Sequence, residues 1–599
     1  MTAGAEPLAR MDRAAMFRGI VGVGVGVFHL WALNFASYPP EVFLPMSLWG
    51  FFVVAVLGGI ARASRAAIAG WLALLVAVSL ALFHASERMF DLAQSAGLNA
   101  TSLDIVTCVL LVLAVLFCLY RLIGWPLTVI VGIFLLHPIL GDLLPGPLNT
   151  RSYSAERLTG VFLTQSGLFS SPLSVVVTYV VLFVYFGKAM ELSGAGAVFM
   201  KLVLRAVGRA TGGPAKVAVC SSALFGSISG SGVADTVTTG SLTIPMMKRD
   251  GVPGARAAAI EAVASSGAPL LPPVMGAAAF LMAENLMMPY HQIIILSIFP
   301  ALAYFAIVLL RVHLLSLAHF PERTVPDLPN AETLGWRDLL LLTPVILLVY
   351  MLAIAHASPI RSATFAMLLA LAIYLVRSIT TPGRIAAEIG HAAFQAAVTA
   401  APVVFAAAGA ALLVGSVNLT GLSFTMTEAI RFLAGESAVL TLVFSALCVL
   451  LFGMGLPPTV SYILGTVIIV PVLRAGGFDL VASHFFVFFL TAIANVTPPV
   501  GMSSFAASGI AGERPLTVSL VGMRLLGAVL LTPFLIALQP DLLGLVTSPA
   551  GLALGLCALA GMAMMTTAEV GWKRRVESIP ARAAVFLGAL GLLLLTISV

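Results

Sequence analysis

Short oxygen-bearing residues set deep in apolar sequence are the groups of this chain best suited to chemistry. One set is Phe225–Asp235 (FGSISGSGVAD), followed by Ile244–Arg249 (IPMMKR) and by Ser265–Gly267 (SSG) ahead of Pro272–Val274 (PPV). A second set, far along the chain, is Phe452–Thr459 (FGMGLPPT), then Val470–Arg474 (VPVLR) and Asn495–Val500 (NVTPPV). From Pro245 to Pro272 is 27 residues, and from Pro471 to Pro498 is also 27. A helix broken inside a membrane leaves backbone N–H and C=O groups unpaired, which is costly in lipid unless a ligand or water satisfies them. Freed carbonyls and Ser or Thr hydroxyls are hard oxygen donors for a small cation. Exposed helix N-termini favour an anion such as a carboxylate.

Two matched cation sites follow from this pattern. In the first, Ser227, Ser229, Gly230, Ser231 and Gly232 face Ser265, Ser266 and Gly267, with Pro272 and Pro273 beside them. In the second, Gly453, Gly455 and Thr459 face Asn495, Thr497 and Pro498, flanked by Pro457 and Pro499. Gly and Ser in membrane helices also serve close helix packing; the matched proline spacing is what favours binding. Asp235, with Thr238 and Thr239 after it, is the candidate for substrate binding or coupling, since a carboxylate at membrane depth is expensive. Cation ligation, proton carriage and bonding to free amides are all open to it. Glu261, five residues after Arg256, is expected to pair with that arginine at the interface, and the nine histidines show no clustering.

The elements that must position these groups are membrane helices. Of 599 residues 60% are hydrophobic and only 9% charged, with a mean hydropathy of +1.08. A soluble chain carries roughly a quarter charged residues. Apolar runs of about 20 residues dominate, the length that spans a bilayer as helix. The alternation of a β-barrel is absent, so the fold class is an all-α polytopic membrane protein with inverted repeats, two re-entrant hairpins and two interrupted helices. A net charge of +6 suggests no nucleic-acid partner: no basic run exceeds Lys573-Arg574-Arg575. Basic loops facing the cytoplasm account for the charge. The five cysteines lie singly in apolar segments and read as packing residues.

Charge placement orders the helices. Arg10, Arg13 and Arg18 put the N-terminus inside, ahead of a retained first helix rather than a cleavable signal. Helices near 17–36, 43–60, 66–86, 103–121 and 124–145 lead to a polar outer loop, 146–171, and 172–192 returns. Were 217–247 a single crossing, Lys248, Arg249 and Arg256 would fall outside; a hairpin turning at the Gly/Ser cluster keeps them inside. Spans near 257–288, 292–310, 338–355, 362–376 and 388–416 follow. A second hairpin, 437–473, opens to the other side, ahead of 485–511, 515–540, 546–568 and 578–598. Arg62 and Arg323 add to the inner charge.

At this point Leu224–Arg249 resembles the signature of the large permease subunit of TRAP (tripartite ATP-independent periplasmic) transporters, nearest to fused permeases of the TAXI type. Gly212–Lys216 (GGPAK), Gly453–Pro457 and Asn495–Pro499 extend the resemblance across roughly 150–540. It implies a division into 1–122, small-subunit-like; 123–171, connecting helix and periplasmic loop; 172–545, large-subunit-like, with hairpins at about 214–250 and 437–475; and 546–599, C-terminal helices. It implies an elevator-type secondary transporter of the bacterial inner membrane. Such a carrier takes a small organic acid, a dicarboxylate or an amino acid, from a periplasmic substrate-binding protein and is driven by a Na⁺ gradient, with no other cofactor. Relatives often carry Asn at Asp235 and Thr at Pro458, which leaves a proton-coupled carrier using Asp235 as the alternative. A symporter working without a binding protein is a further alternative, disfavoured by the four extra amino-terminal helices. A membrane enzyme lacks support: there is no HExxH, GxSxG or Walker lysine motif. A channel suits inverted hairpins less well than alternating access does.

Overall fold

A computed structural model describes residues 13–36, 38–60, 64–319, 334–379, 382–570 and 579–598. Arg10, Arg62, Arg323 and Lys573–Arg575, which contribute to the charge argument, lie outside the described residues. Among the described residues every regular element is helical, and 13 helices are long and apolar enough to cross a membrane. The physical reason is that lipid offers backbone groups no partner, so each segment must pair its own. Polar caps close several starts, as where Thr101 and Asp104 form a capping box and Asp479 accepts from Ala482 N at 2.9 Å.

One helix organises the rest. Pro382–Thr420 runs for 39 residues, about 58 Å at 1.5 Å per residue. It packs against Arg13–Asn34, Pro40–Ile60, Ser102–Leu122, Trp125–Leu140 and Val181–Ser193. Glycine permits the closest of these approaches: a Cβ on Gly22 would fall 2.4 Å from the Phe394 backbone. The Tyr185 hydroxyl donates to Gly22 O at 2.8 Å, and Asn34 Nδ2 donates to Thr364 Oγ1 at 3.1 Å. The first four helices are therefore built into the same packing as the rest of the chain.

Polar contacts tie distant segments together. Gln165 donates to Glu41 at 3.1 Å, Arg157 to Ala96 O at 2.9 Å and Tyr153 to Leu419 O at 2.7 Å. Lys248 donates to Ala511 O at 2.9 Å, Arg377 to Ser193 O at 2.6 Å, and Arg311 pairs with Glu569. Two expectations are refined. The span 338–355 is divided into Trp336–Leu340, Thr343–Val349 and a wide-turn segment, Tyr350–Ile354; the first division falls where Pro344 cannot donate to the preceding turn. The loop 146–171 holds a helix, Ala155–Phe162, capped by Ser154.

Candidate functional site

Each repeat seats a hairpin tip on a helix break. The first hairpin joins Gly213–Ser229 to Gly232–Arg249 through Gly230, whose φ of +62° suits glycine. Its partner is Gly254–Ser266, an irregular break, and Ala277–Asn285. Val274 N donates across the contact to Ser227 O at 3.1 Å, and Gly230 sits so close that a Cβ would lie 2.0 Å from Met275 O. The second hairpin joins Ala438–Gly453 to Pro458–Ala475, with Gly455 at φ +71°. It meets the break between Leu480–Ala494 and Met502–Ala511, where Gly455 N donates to Val500 O at 2.9 Å. Both breaks contain a cis Pro–Pro bond, Pro272–Pro273 and Pro498–Pro499. The repeats also interlock: Gly232–Arg249 packs on Met502–Ala511, and Pro458–Ala475 on Ala277–Asn285.

Aromatic packing fastens the first break. Phe280 stacks on Tyr290 with ring centroids 4.3 Å apart and on Phe183 at 5.1 Å. The Tyr290 hydroxyl faces the Val274 and Pro273 carbonyls, to which it donates. Tyr290→Phe is expected to cost about 1 kcal/mol of local stability, the net worth of one hydrogen bond. Hydrogen exchange over residues 274–276 should rise about fivefold on that account. Exchange unchanged by the substitution would show that the hydroxyl does not hold the break.

Beneath the first tip lies a buried polar cluster. Glu261 is 0% exposed, and its carboxylate accepts from Ser222 at 3.0 Å, from Ser265 at 3.3 Å, and from Thr239 and Thr243. Thr239 can instead donate to Asp235 O at 2.8 Å, and Thr243 to Thr239 O at 3.0 Å. A hydroxyl carries one hydrogen, so each threonine must choose. With Glu261 ionised, all four hydroxyls point at it. With Glu261 protonated, one threonine turns to its carbonyl and accepts the carboxyl proton instead. The cluster thus has a satisfied arrangement for either state. Asp235, 2% exposed, makes no well-formed hydrogen bond from either carboxylate oxygen; the hydroxyls that approach it, Ser222 and Ser265, bond Glu261. Among the described residues no Lys, Arg or His forms an ion pair with Asp235 or Glu261.

The expected interfacial pair of Glu261 with Arg256 is therefore replaced by an inward-facing carboxylate. Ala257–Ala264 is enclosed on every side, by both arms of the first hairpin, Met502–Ala511 and Pro515–Leu526. Sequence reading also missed Ser222 and Thr243. The available signal was spacing: Asp235, Thr239 and Thr243 recur every four residues, as do Glu261 and Ser265, which puts each row on one helix face. The histidines need a similar correction, since the His291 and His356 rings lie 4.3 Å apart.

Other predicted residues divide. Ser227 and Ser266 are buried and donate backwards to Leu224 O at 2.8 Å and Ala262 O at 2.7 Å, which leaves oxygen lone pairs for a cation. Ser231 caps the return arm, Gly232 packs on Ser265 O, and Gly267 packs on the Tyr304 ring. Pro272 and Pro273 are half-buried, whereas Ser229 and Thr238 are exposed and stand apart from the cluster. In the second repeat Thr459, Asn495 and Thr497 are buried, with the Asn495 side-chain nitrogen unpartnered and Thr497 bonded to Ile493 O at 3.0 Å. Gly453 packs on Ala494, Pro457 starts the return arm, and Pro498 and Pro499 lie nearer the surface. Ser503, buried and unpartnered beside Asn495, was not anticipated; its N–H donates to Asn495 O at 3.1 Å.

A family model described as the DctM component of the tripartite ATP-independent periplasmic transporter matches residues 110–551. The chain belongs to this family. It is a TRAP large permease, a multi-pass secondary transporter and not an enzyme, and membership implies a periplasmic substrate-binding protein as partner. A protein of Haemophilus influenzae named as a TRAP transporter large permease is 28% identical over 53% of this chain and 74% of its own length. The Escherichia coli 2,3-diketo-L-gulonate TRAP transporter large permease protein YiaN is 25% identical over 55% of this chain and 76% of its own. An uncharacterized Sinorhizobium fredii protein, y4mL, is 25% identical over 55% and 78%.

Proposed function

We propose that this TRAP permease imports a small organic acid across the bacterial inner membrane, coupled to a Na⁺ gradient and fed by its periplasmic binding protein. The observation that carries the reading is the repeated seating of a glycine-turned tip on a helix break through one backbone hydrogen bond. Each such junction concentrates carbonyls and hydroxyls where a cation replaces lost hydrogen bonds. In this reading the hairpins re-enter from opposite faces, the N-terminus is cytoplasmic, and the hairpin pair moves as an elevator against the long helix and the amino-terminal helices. The basic residues Lys248 and Arg249, in the last turn of the first hairpin's return arm, with Arg256 after them, support that topology.

One observation favours a second reading, proton coupling. Asp235 is buried with no ion-pair partner among the described residues, and Glu261 beside it is satisfied in either protonation state. Uptake by proteoliposomes with the cognate binding protein, using labelled dicarboxylates and amino acids, separates the two. The expected result is uptake driven by inward Na⁺ alone and retained in Asp235→Asn. Uptake driven only by a pH gradient and abolished by that substitution would transfer coupling to the carboxylate pair. Equal uptake without any gradient would overturn both.

A further inference from the structure

The 146–171 segment lines a cavity of about 470 Å³ whose wall includes none of the candidate cation-site residues. Its wall is shared between two groups of elements. Arg157, Gln165 and Ser170, with Asn418 at the end of the long helix, form one side; Asn285 and Thr466 form the other. Asn285 ends the second half of the first broken helix, and Thr466 lies on the return arm of the second hairpin. Thr466 is nine residues past Pro457, about 13 Å along the helix from that tip.

The chemistry of the lining is one-sided. No Asp or Glu lines the cavity, and Arg157 is its sole charged group. Arg157 spends one N–H on Ala96 O and has no ion pair among the described residues, so the rest of its donor fork is available. Ser170, 8% exposed, keeps its hydroxyl oxygen buried without a partner. The volume lies inside the roughly 300–1,000 Å³ usual for small-ligand sites. A guanidinium ringed by amides and hydroxyls matches a carboxylate, which Arg binds through two parallel hydrogen bonds.

We propose that this cavity is a vestibule that holds a small carboxylate outside the coupling site, with Arg157 as its charge anchor and the amide and hydroxyl groups as its polar wall. Because moving and static elements share the wall, the held anion sits on the path between the outer face and the second tip. The inference rests on the proposed reading in two respects, that the cavity's face is the outer one and that the hairpin arms move against the long helix.

The test is thiol labelling of Asn418→Cys in intact spheroplasts, against the same chain without that cysteine as background. Membrane-impermeant anionic and cationic methanethiosulfonates serve as probes. The anionic reagent is expected to react about tenfold faster than the cationic one, because a low-dielectric cleft with one sign of charge concentrates counter-ions. Arg157→Gln should bring the ratio close to one, Arg157→Lys should restore most of it, and millimolar succinate should slow the anionic reaction. Labelling from outside with no charge preference, or a preference indifferent to Arg157, overturns the vestibule and leaves the transport reading standing. Labelling only after permeabilisation overturns the outward orientation, and the vestibule with it.

Discussion

Gly230→Ala is expected to abolish uptake while leaving the protein in the membrane at near-normal levels. The added Cβ would sit 2.0 Å from the Met275 carbonyl oxygen and 3.0 Å from its carbon, both backbone atoms that cannot rotate away. The residue also holds φ +62°, a region costing an L side chain about 1–2 kcal/mol. Relief requires the tip to lift from the break by more than an ångström, which breaks the Val274–Ser227 bond and opens the proposed cation site. Displacement on that scale costs on the order of a hundredfold in rate where geometry must be held. The matched change Gly455→Ala should be milder, since its Cβ meets only side chains, Val500 at 3.2 Å and Pro126 at 3.8 Å, although φ +71° keeps a backbone cost. Initial uptake rates of the two variants, normalised to membrane protein, give the comparison. Equal activity of Gly230→Ala and wild type would show that tip and break are not held in register.

Glu261→Leu is expected to destabilise the protein by about 1–3 kcal/mol more than Glu261→Gln, the cost of leaving a buried polar group without its partner. Four hydroxyls from three helices converge on that carboxylate, and leucine offers none of them an acceptor. Glu261→Gln behaves differently for a reason visible in the geometry. Its amide oxygen takes the place of Oε1 and still accepts from Ser222, Thr239 and Ser265. Its amide nitrogen takes the place of Oε2 and donates to Thr243, whose own hydrogen turns to Thr239 O at 3.0 Å. A cost near 1 kcal/mol is expected, about one net hydrogen bond. Thermal unfolding followed by size-exclusion in detergent ranks the three proteins. A glutamine variant as unstable as leucine would mean that the negative charge, not the hydrogen bonding, holds the cluster.

The sequence made the broken segments readable because Gly, Ser and Pro punctuate apolar helix strongly, and their spacing repeats. The helix-to-helix turns at Gly230 and Gly455 and the breaks at Pro272–Pro273 and Pro498–Pro499 fall at those residues. The polar cluster was less legible. Glu261 has an arginine five residues away in the chain, and nearness in sequence suggested a pair. The deciding neighbours, Ser222 and Thr243, lie on other helices, and their approach depends on how the first hairpin packs, which periodicity does not specify. Ser503 escaped for the same reason, since its proximity to Asn495 arises from the fold-back of a break rather than from a helical repeat. The His291–His356 contact likewise joins two turns that are distant in sequence.

Of the four hairpin arms only Pro458–Ala475 is long and apolar enough to count as a spanning helix, and none of the broken-helix halves does. A translocon sorts nascent segments into lipid largely by their own apolarity, and a mid-helix Asp or Lys weighs against release by about 2.5–3.5 kcal/mol. Gly232–Arg249 carries Asp235, Lys248 and Arg249, and Gly254–Ser266 carries Glu261. Such segments do not partition alone. They enter the bilayer after their flanking helices have gathered and can receive their polar groups from the side. The proposed transport site is therefore expected to be the last part of the molecule to be built, with its biogenesis dependent on residues outside it.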